Sequence, residues 1–318
     1  MPSLIEVKHL KKYFKVPSGI NHAVDDVSFT VEKGETLGVV GESGCGKSTL
    51  GRTIIRLQEA TEGEILLNGQ DITHVRKREL CKVREQMQIV FQDPYSSLNP
   101  RMRIESTIME PLKHSGRFHS QSELRDEANR LMDVVGVDER LRRSYPHELD
   151  GGRRQRVGIA RALALNPEFI VCDEPVSALD VSIQAQVLNL LMDLQEKSGA
   201  AYMFVTHDLS VVRHISDNIC VMYLGQLVEK APSRELFAHT LHPYTKALLS
   251  AIPSTDILHP MERLPLKGEI PSPINPKPGC RFYSRCPYAA KACREPQHLT
   301  EVSDRHFVSC CRIAEINS

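Results

Sequence analysis

A short glycine-rich segment between a strand and a helix constrains the fold of this chain more than any other feature. The apolar run Leu37–Val40 predicts a buried strand, and Thr49 and Leu50 begin a helical pattern. Between them, Gly41–Ser48 reads GESGCGKS and fits G-x-x-x-x-G-K-[ST] at every fixed position. A strand, a glycine loop and a helix in this order predict a P-loop, whose backbone N–H groups surround phosphate oxygens.

The residue types of this loop predict separate roles in binding a nucleotide. Lys47 is expected to reach the β- and γ-phosphates, and the Ser48 hydroxyl is expected to ligate Mg²⁺. The predicted nucleotide contacts of the loop and the first helical residue are Gly41, Glu42, Ser43, Gly44, Cys45, Gly46, Lys47, Ser48 and Thr49. The alternative is a glycine-rich turn before an ordinary helix, which the Lys-Ser pair disfavours.

Length and charge limit the classes of protein that are possible. The 318 residues suffice for about two domains. Because 40 basic residues balance 40 acidic ones, no nucleic-acid partner is predicted. We find neither a signal-peptide pattern nor an apolar stretch of about 18 residues, the length that a membrane helix needs. The chain is therefore predicted to fold in the cytoplasm and to reach a membrane only through a partner.

Residues 4–40 are predicted to be rich in β-strand, since Ile5–Val7 and Val27–Val31 alternate apolar and polar side chains. Tyr13 lies between these two strands. Its ring offers an apolar platform on which an adenine can stack. The alternative is that Tyr13 only packs within a small sheet.

A polar residue follows directly after the predicted strand Gln88–Phe91. Gln92 thus lies at the carboxyl edge of that strand, where ligands bind in open α/β sheets. Its amide is expected to contact both Mg²⁺ and the attacking water. The alternative is an ordinary loop residue.

Residues 104–145 have no strand pattern, and Glu123–Val135 carries apolar residues at helical spacing. We predict a helical insertion there. It ends at Ser144–Arg153, where Gly151 and Gly152 open the next helix and create a second helix N-terminus suited to an anion.

Two further strands end in candidate catalytic groups. Phe169–Asp173 is an apolar run that ends in carboxylates. Asp173 suits Mg²⁺ coordination through water, and Glu174 suits a general base, or a group that polarises the water attacking the γ-phosphate. The strand Ala201–Thr206 is followed by His207, a candidate ligand of the γ-phosphate. The alternatives are acids at a surface turn and a structural histidine.

The order of these motifs resembles one family over about residues 4–250: the ATP-binding subunits of ABC transporters. The matching features are the Walker A motif Gly41–Ser48, the Q-loop residue Gln92, the signature Leu149–Arg153, the Walker B motif Phe169–Asp173 with Glu174, the D-loop Ser177–Asp180, the switch histidine His207 and the adenine-stacking Tyr13. The segments QDPYSSLNP and HPYTKALL are typical of the oligopeptide/dipeptide subfamily. Within it, the chain looks most like the dipeptide-type second ATPase subunit.

The resemblance implies a fold and a set of ligands. The fold is an α/β P-loop NTPase core with an N-terminal antiparallel β subdomain, an α-helical subdomain over about residues 93–165 and a small C-terminal extension that carries cysteines. The ATP-binding domain is expected to span residues 1–252 and the extension residues 253–318. The expected ligands are ATP, which Asp150, Gly151 and Gly152 would also contact, and Mg²⁺. The expected magnesium ligands are Ser48, Gln92 and Asp173.

The resemblance also implies partners and a function. ATP hydrolysis in a head-to-tail pair of ATPase subunits would power import of dipeptides or oligopeptides. The partners would be a second ATPase subunit, two membrane permease subunits and an extracellular or periplasmic solute-binding protein, with this chain peripheral on the cytoplasmic face. One alternative is the same role for nickel or another small solute. A second is a soluble ABC ATPase that acts on DNA or ribosomes, which usually carries two nucleotide domains or a coiled-coil insertion.

The signature departs from the family pattern. It usually reads LSGGQ and here reads LDGGR, with Asp150 in place of the serine that donates a hydrogen bond to the γ-phosphate. Like charges in contact repel by about 4 kcal/mol at an effective dielectric near 20. Either Arg153 turns inward to compensate, or Asp150 points away and only caps the helix. We therefore hypothesise a heterodimer in which the site that uses this signature is the weaker one.

Five of the nine cysteines lie near the C-terminus, in a stretch rich in proline. Cys280, Cys286, Cys293 and Cys310 have the spacing C-x5-C-x6-C-x16-C, and Cys311 is an alternative fourth ligand. Four thiolates in a loop-rich segment suggest a metal or cluster site. The spacing lacks the C-x2-C of most structural zinc sites, and it resembles a [4Fe–4S] site of the peptide-transporter subfamily. Free thiols are the alternative.

Overall fold

A computed structural model describes residues 3–252, 264–266 and 268–317. The strands are β1 (Ile5–Val16), β2 (Gly19–Val31), β3 (Thr36–Val40), β4 (Glu62–Leu67), β5 (Gln70–Asp71), β6 (Met87–Val90), β7 (Phe169–Asp173), β8 (Ala201–Thr206), β9 (Asn218–Tyr223), β10 (Gln226–Pro232), β11 (Thr300–Ser303) and β12 (His306–Val308). The α-helices are α1 (Lys47–Ile54), α2 (Lys77–Gln86), α3 (Pro94–Ser97), α4 (Ile104–His114), α5 (Gln121–Val134), α6 (Gly151–Leu163), α7 (Val181–Ser198), α8 (Leu209–Ile215), α9 (Ser233–Ala238), α10 (Pro243–Ser250) and α11 (Ile313–Ile316). Short 3-10 helices lie at Glu139–Arg143, Pro146–Glu148 and Lys291–Arg294.

The chain forms two compact units. The described residues of Met1–Val31, Thr36–Thr73 and Phe204–Ser318 form unit 1, and Glu32–Glu35 with His74–Met203 form unit 2. The chain passes from unit 2 to unit 1 within β8. Within the described residues, no helix is both long and apolar enough to cross a membrane.

In unit 1, β1 is an inner strand of an antiparallel sheet with the order β2-β1-β4-β5. Ile5 lies opposite Val31 of β2 on one side and opposite Leu67 of β4 on the other. Ile5 and Val7 are both buried, because alternate residues of a strand face the same side of the sheet. The predicted N-terminal antiparallel β subdomain is confirmed.

A second group of strands in unit 1 has the order β11-β12-β10-β9-β3. β9 is parallel to β3, with Leu37 opposite Asn218, and β10 is antiparallel to β9. Every residue of β3 is buried, as expected for a parallel strand covered on both faces. The predicted strand Leu37–Val40 is confirmed, and the glycine loop begins directly after it.

In unit 2, β6 runs parallel to β7, with Met87 opposite Phe169. No strand occurs between residues 91 and 168, all of which are described, so the predicted helical insertion is confirmed. Helix α5 buries Leu124, Ala128, Leu131 and Met132 on one side. This is the helical spacing that its sequence predicted.

The C-terminal segment lies in unit 1 and has more regular structure than its sequence predicted. Residues 253–263 and 267, which include part of the proline-rich stretch, lie outside the described residues. The β11–β12 hairpin was not predicted, and β12 pairs with β10. Without this pairing β10 would be an open sheet edge, and His306 and Val308 are buried beside it. The domain boundary at residue 252 stays a prediction.

Candidate nucleotide-binding site

The loop between β3 and α1 contains three glycines with positive φ. The φ angles are 155° at Gly41, 78° at Gly44 and 104° at Gly46, in the region that favours glycine. A Cβ at Gly41 would overlap the carbonyl oxygen of Met222, and one at Gly46 would overlap that of Ala23. Backbone angle and close approach therefore both require glycine at these two positions.

Lys47 begins α1 and turns back over this loop. Its side chain is buried, and Nζ donates to the carbonyl oxygens of Gly41 at 2.8 Å and Glu42 at 3.0 Å. Ser48 and Thr49 complete the first turn, which contains no acidic residue. A buried ammonium group beside a helix N-terminus without nearby acids in that turn favours a phosphate.

The loop residues between Glu42 and Lys47 divide into an exposed tip and a buried base. Ser43 and Gly44 are exposed, whereas Cys45 is buried. Burial raises the pKa of the Cys45 thiol, although the nearby Lys47 opposes this shift. Cys45 is therefore a neutral packing group at the base of the loop.

Tyr13 is held at both its ring and its hydroxyl. The ring stacks on His22, with 4.0 Å between the ring centroids. The hydroxyl donates to Asp25, whose carboxylate also pairs with Arg281. Burial and the bond to Asp25 raise the pKa of Tyr13. The structure gives Tyr13 a fixed ring, and its contact with adenine stays a prediction.

Glu42 is bound by residues that sequence reasoning missed. Arg285 donates from both terminal nitrogens to the Glu42 carboxylate, at 2.6 and 3.0 Å. The Glu42 N–H donates to the Tyr244 hydroxyl oxygen at 2.9 Å. The available signal was that Arg281 and Arg285 are adjacent to the predicted cysteine ligands in sequence, although nothing in that pattern identifies their partners.

The structure brings two predicted catalytic residues of unit 2 together. Gln92 donates from Nε2 to the Glu174 carboxylate at 2.9 Å. Asp173, at the end of β7, is fully buried. Glu174 follows with a φ of 44°, a left-handed conformation that costs about 1–2 kcal/mol for a non-glycine residue. Strain of this kind is common at functional sites.

Asp150 caps helix α6. Its Oδ1 accepts from the Arg153 N–H at 2.8 Å, and its Oδ2 lies 3.4 Å from Arg153 Nε. The structure thus shows the cap and also pairs Asp150 with Arg153. Whether the carboxylate points away from a bound phosphate stays a prediction. A Cβ on Gly152 would lie 2.6 Å from Ile183 of α7, so close packing requires that glycine. Gly151 is the first residue of the capped helix.

His207 follows β8 in unit 1 and is exposed. The next residue, Asp208, accepts from the Ser210 N–H at 2.8 Å and so caps α8. The sequence predicted the position of His207 at a strand end. Its contact with a γ-phosphate stays a prediction, as do the Mg²⁺ contacts of Ser48, Gln92 and Asp173.

The C-terminal cysteines interact without forming a recognisable metal site. Burial, together with smaller contributions from Cys310, Cys286 and Cys293, raises the pKa of Cys280 to about 12. Cys293 and Cys311 have sulfur atoms 4.0 Å apart. Among the described residues, no group of three or more His, Cys, Asp or Glu is arranged to hold a metal ion. The structure therefore does not support the predicted [4Fe–4S] cluster.

The glycine loop between β3 and α1, with its lysine over the loop, defines the chain as a P-loop nucleoside triphosphatase of mixed α/β fold. The ABC transporter family matches residues 24–177. The family described as the C-terminal region of oligopeptide/dipeptide transporters matches residues 228–293. The second match includes three of the five C-terminal cysteines.

Relatives and solved structures extend these matches. The chain is 51% identical over 319 residues to the oligopeptide transport ATP-binding protein AppF of Bacillus subtilis, covering 97% of each chain. It is 49% identical over 310 residues to OppF of Salmonella typhimurium, an oligopeptide transport ATP-binding protein, covering 97% of this chain and 93% of that relative. The dimeric ATP-binding cassette MJ0796, bound to ADP and Pi after hydrolysis, superposes with a TM-score of 0.67 at 32% identity, covering 72% of this chain and 99% of that one.

The chain therefore belongs to the ABC transporter ATP-binding proteins of the oligopeptide/dipeptide type, and it is an ATPase. The names of these relatives specify oligopeptides, whereas the sequence resemblance was narrower and favoured the dipeptide type.

Proposed function

We propose that this chain is the ATP-hydrolysing subunit of an importer of short peptides. One observation carries the proposal: a single chain joins an ABC transporter match to an oligopeptide/dipeptide transporter C-terminal match. Relatives that share about half of its residues over nearly their whole length are named for oligopeptide transport. The chain would act at the cytoplasmic face of the membrane through two permease subunits. A solute-binding protein would deliver the peptide.

The proposed chemistry gives each predicted residue a separate role. In unit 1, the P-loop and Lys47 would bind the triphosphate, with Tyr13 against the adenine. In unit 2, Asp173 would hold Mg²⁺ through water, and Glu174 would accept the proton of the attacking water. The hydrogen bond between Gln92 and Glu174 supports this role, because it orients the carboxylate without neutralising it. His207 would contact the γ-phosphate.

We also propose a heterodimer with a second ATPase subunit that carries an ordinary signature. Asp150 supports this, because a carboxylate that caps a helix cannot donate the hydrogen bond that serine provides. The site that combines this chain's P-loop with the partner's signature would then be the stronger one. Substituting Glu174 here, and the equivalent residue in the partner, should give unequal losses of ATP hydrolysis. Equal losses would contradict the asymmetry.

Reconstitution in lipid vesicles with the copurified permease subunits tests the function. We expect short peptides to enter only when ATP is supplied, and Lys47→Ala to abolish both uptake and hydrolysis. Nickel uptake without peptide uptake would instead support the first alternative. Stimulation of hydrolysis by DNA or ribosomes, with no membrane partner copurifying, would support the second.

An iron–sulfur cluster at Cys280, Cys286, Cys293 and Cys310 stays a proposal. Its support is chemical: four soft thiol ligands interact electrostatically within one segment. A cluster there would supply a structural crosslink, and no step of ATP hydrolysis depends on it. Protein purified without oxygen should be brown and absorb near 400 nm. Stoichiometric zinc without iron would refute the cluster.

A further inference from the structure

We propose that Arg285 is a positioning residue for the P-loop and that Arg281 is one for Tyr13, both acting from the C-terminal segment. The inference rests on the proposed nucleotide site and goes beyond it, since neither arginine lies in the motifs described above. Their partners are far away in sequence. Glu42 is 243 residues before Arg285, and Asp25 is 256 residues before Arg281.

One turn of chain presents both arginines. The Cys286 N–H donates to the carbonyl oxygen of Phe282 at 3.0 Å, a spacing of four residues that resembles a helical turn. Arg281 and Arg285 are also four apart, so they project from the same side of this turn. The Phe282 side chain is fully buried, and its ring centroid lies 5.4 Å from that of Tyr244. The turn is thus anchored in unit 1 between its two arginines.

Arg285 fixes the second residue of the P-loop. The Glu42 carboxylate accepts two hydrogen bonds from this guanidinium, the N–H donates to Tyr244, and the carbonyl oxygen accepts from Lys47. A paired, planar contact of this kind sets orientation as well as energy. All the polar groups of Glu42 therefore have partners within the chain.

The pair between Arg285 and Glu42 favours the binding of a polyanionic ligand in two ways. A P-loop that is already ordered loses little backbone freedom when a nucleotide binds, so ordering the loop opposes binding less. The Arg285 side chain is only 7% exposed, so its charge offsets that of Glu42 at short range. Without it, a bare carboxylate in the loop would repel the phosphates.

Arg281 acts in the same way on Tyr13. Asp25 accepts from the Tyr13 hydroxyl and from Arg281, and the side chains of Asp25 and Arg281 are 12% and 8% exposed. Without Arg281, the mostly buried Asp25 carboxylate would keep the Tyr13 hydroxyl and His22 Nδ1, at 3.4 Å, as partners but would lose its guanidinium partner. It would then gain hydration by moving away from Tyr13. Arg281 thereby keeps the hydroxyl end of the ring in place.

Titration of the full chain with ATP, followed by calorimetry, tests the proposal. We expect Arg285→Gln to raise the Kd for ATP about tenfold and Arg285→Lys to give an intermediate value. The double variant Arg285→Gln with Glu42→Gln should recover part of the loss, because the bare carboxylate is gone. An unchanged Kd for ATP in Arg285→Gln would overturn the proposal. A loss of affinity in the double variant equal to the sum of the two single losses would overturn it as well.

Two further variants separate the possible failures. Arg312→Gln removes another arginine of the same segment, which pairs with Glu315 at the surface, and it should bind ATP normally. Melting temperatures identify variants that fail to fold. If Arg285→Gln fails to fold, the ATP affinity of Arg285→Lys becomes the test of the proposal. If Lys47→Ala leaves the affinity for ATP unchanged, the proposed nucleotide site is refuted, and the inference about Arg285 is refuted with it. If Lys47→Ala abolishes binding while Arg285→Gln does not alter it, only the inference fails.

Discussion

Replacing Asp150 by serine tests what the unusual signature residue does. Its carboxylate caps α6 through the Arg153 N–H and is 59% exposed. Serine caps helices about as well as aspartate. The exposed pair with Arg153 contributes only about 0–1 kcal/mol. We therefore expect Asp150→Ser to unfold in urea with a free energy within about 1 kcal/mol of the parent chain.

The same substitution should strengthen one ATP site of the proposed dimer. There the signature of this chain would face the triphosphate that the partner's P-loop holds. A carboxylate 4 Å from a phosphate charge repels it by about 1 kcal/mol in water and about 4 kcal/mol at an effective dielectric near 20. Because Asp150 is mostly exposed, we take the lower value, which corresponds to about fivefold tighter ATP binding.

Two matched variants separate capping from charge. Asp150→Asn keeps a capping side chain and removes the charge, so it should behave like Asp150→Ser in ATP binding. Asp150→Ala removes both, and it should lose about 1 kcal/mol of unfolding free energy. Single-turnover ATP hydrolysis by the complete transporter gives the affinity. Identical ATP affinity in the parent and all three variants would refute the electrostatic reasoning, and a loss of stability in Asp150→Ser would refute the cap.

Three further substitutions have outcomes set by the structure. Burial lowers the pKa of His242 to about 4, although nearby Glu229 opposes the shift. As the pH falls, the unfolded chain therefore binds a proton at His242 before the folded chain does. The free energy of unfolding should fall by about 3 kcal/mol between about pH 6.5 and about pH 4. His242→Asn, which can still accept from the Tyr244 N–H, should remove that part of the pH dependence in urea unfolding measured at pH 7 and 4.5. Gly46→Ala should abolish ATP binding, because its Cβ would overlap the carbonyl oxygen of Ala23; normal affinity by calorimetry would contradict this. Glu229→Gln should cost about 1–3 kcal/mol in the same unfolding assay, since it removes a fully buried carboxylate that accepts from His306 and from the N–H groups of Leu241 and His242.

The elements that the sequence predicted correctly are those whose sequence signals lie within a few residues of one another. β3, the glycine loop and α1 follow one another, so apolar run, turn residues and helix start all lie within a few residues. β7 and β8 were predicted within their observed limits for the same reason. Helix α1 begins at Lys47, two residues before the predicted start at Thr49. Element ends are less certain because a helix end depends on its surroundings.

What the sequence missed depends on contacts between distant residues. No local pattern indicates that Arg285 will meet Glu42, or that β12 will pair with β10. Asp150 is a different case, because capping and pairing with Arg153 were both visible locally, and the structure contains both contacts. Side-chain geometry at the catalytic residues was also beyond prediction. The sequence placed Gln92 and Glu174 after separate strands, and the structure joins them by a hydrogen bond.

The contacts of the C-terminal segment determine how its role can be studied. His306 in this segment donates to Glu229, whose carboxylate also accepts the N–H groups of Leu241 and His242 and is fully buried. Deleting the segment would remove His306 from that carboxylate and would also remove β12 from the edge of β10, so the fold would be destabilised. A truncated chain would therefore lose activity through unfolding whether or not Arg285 orders the P-loop. Only substitutions that leave His306 intact can separate support of the fold from support of the nucleotide site.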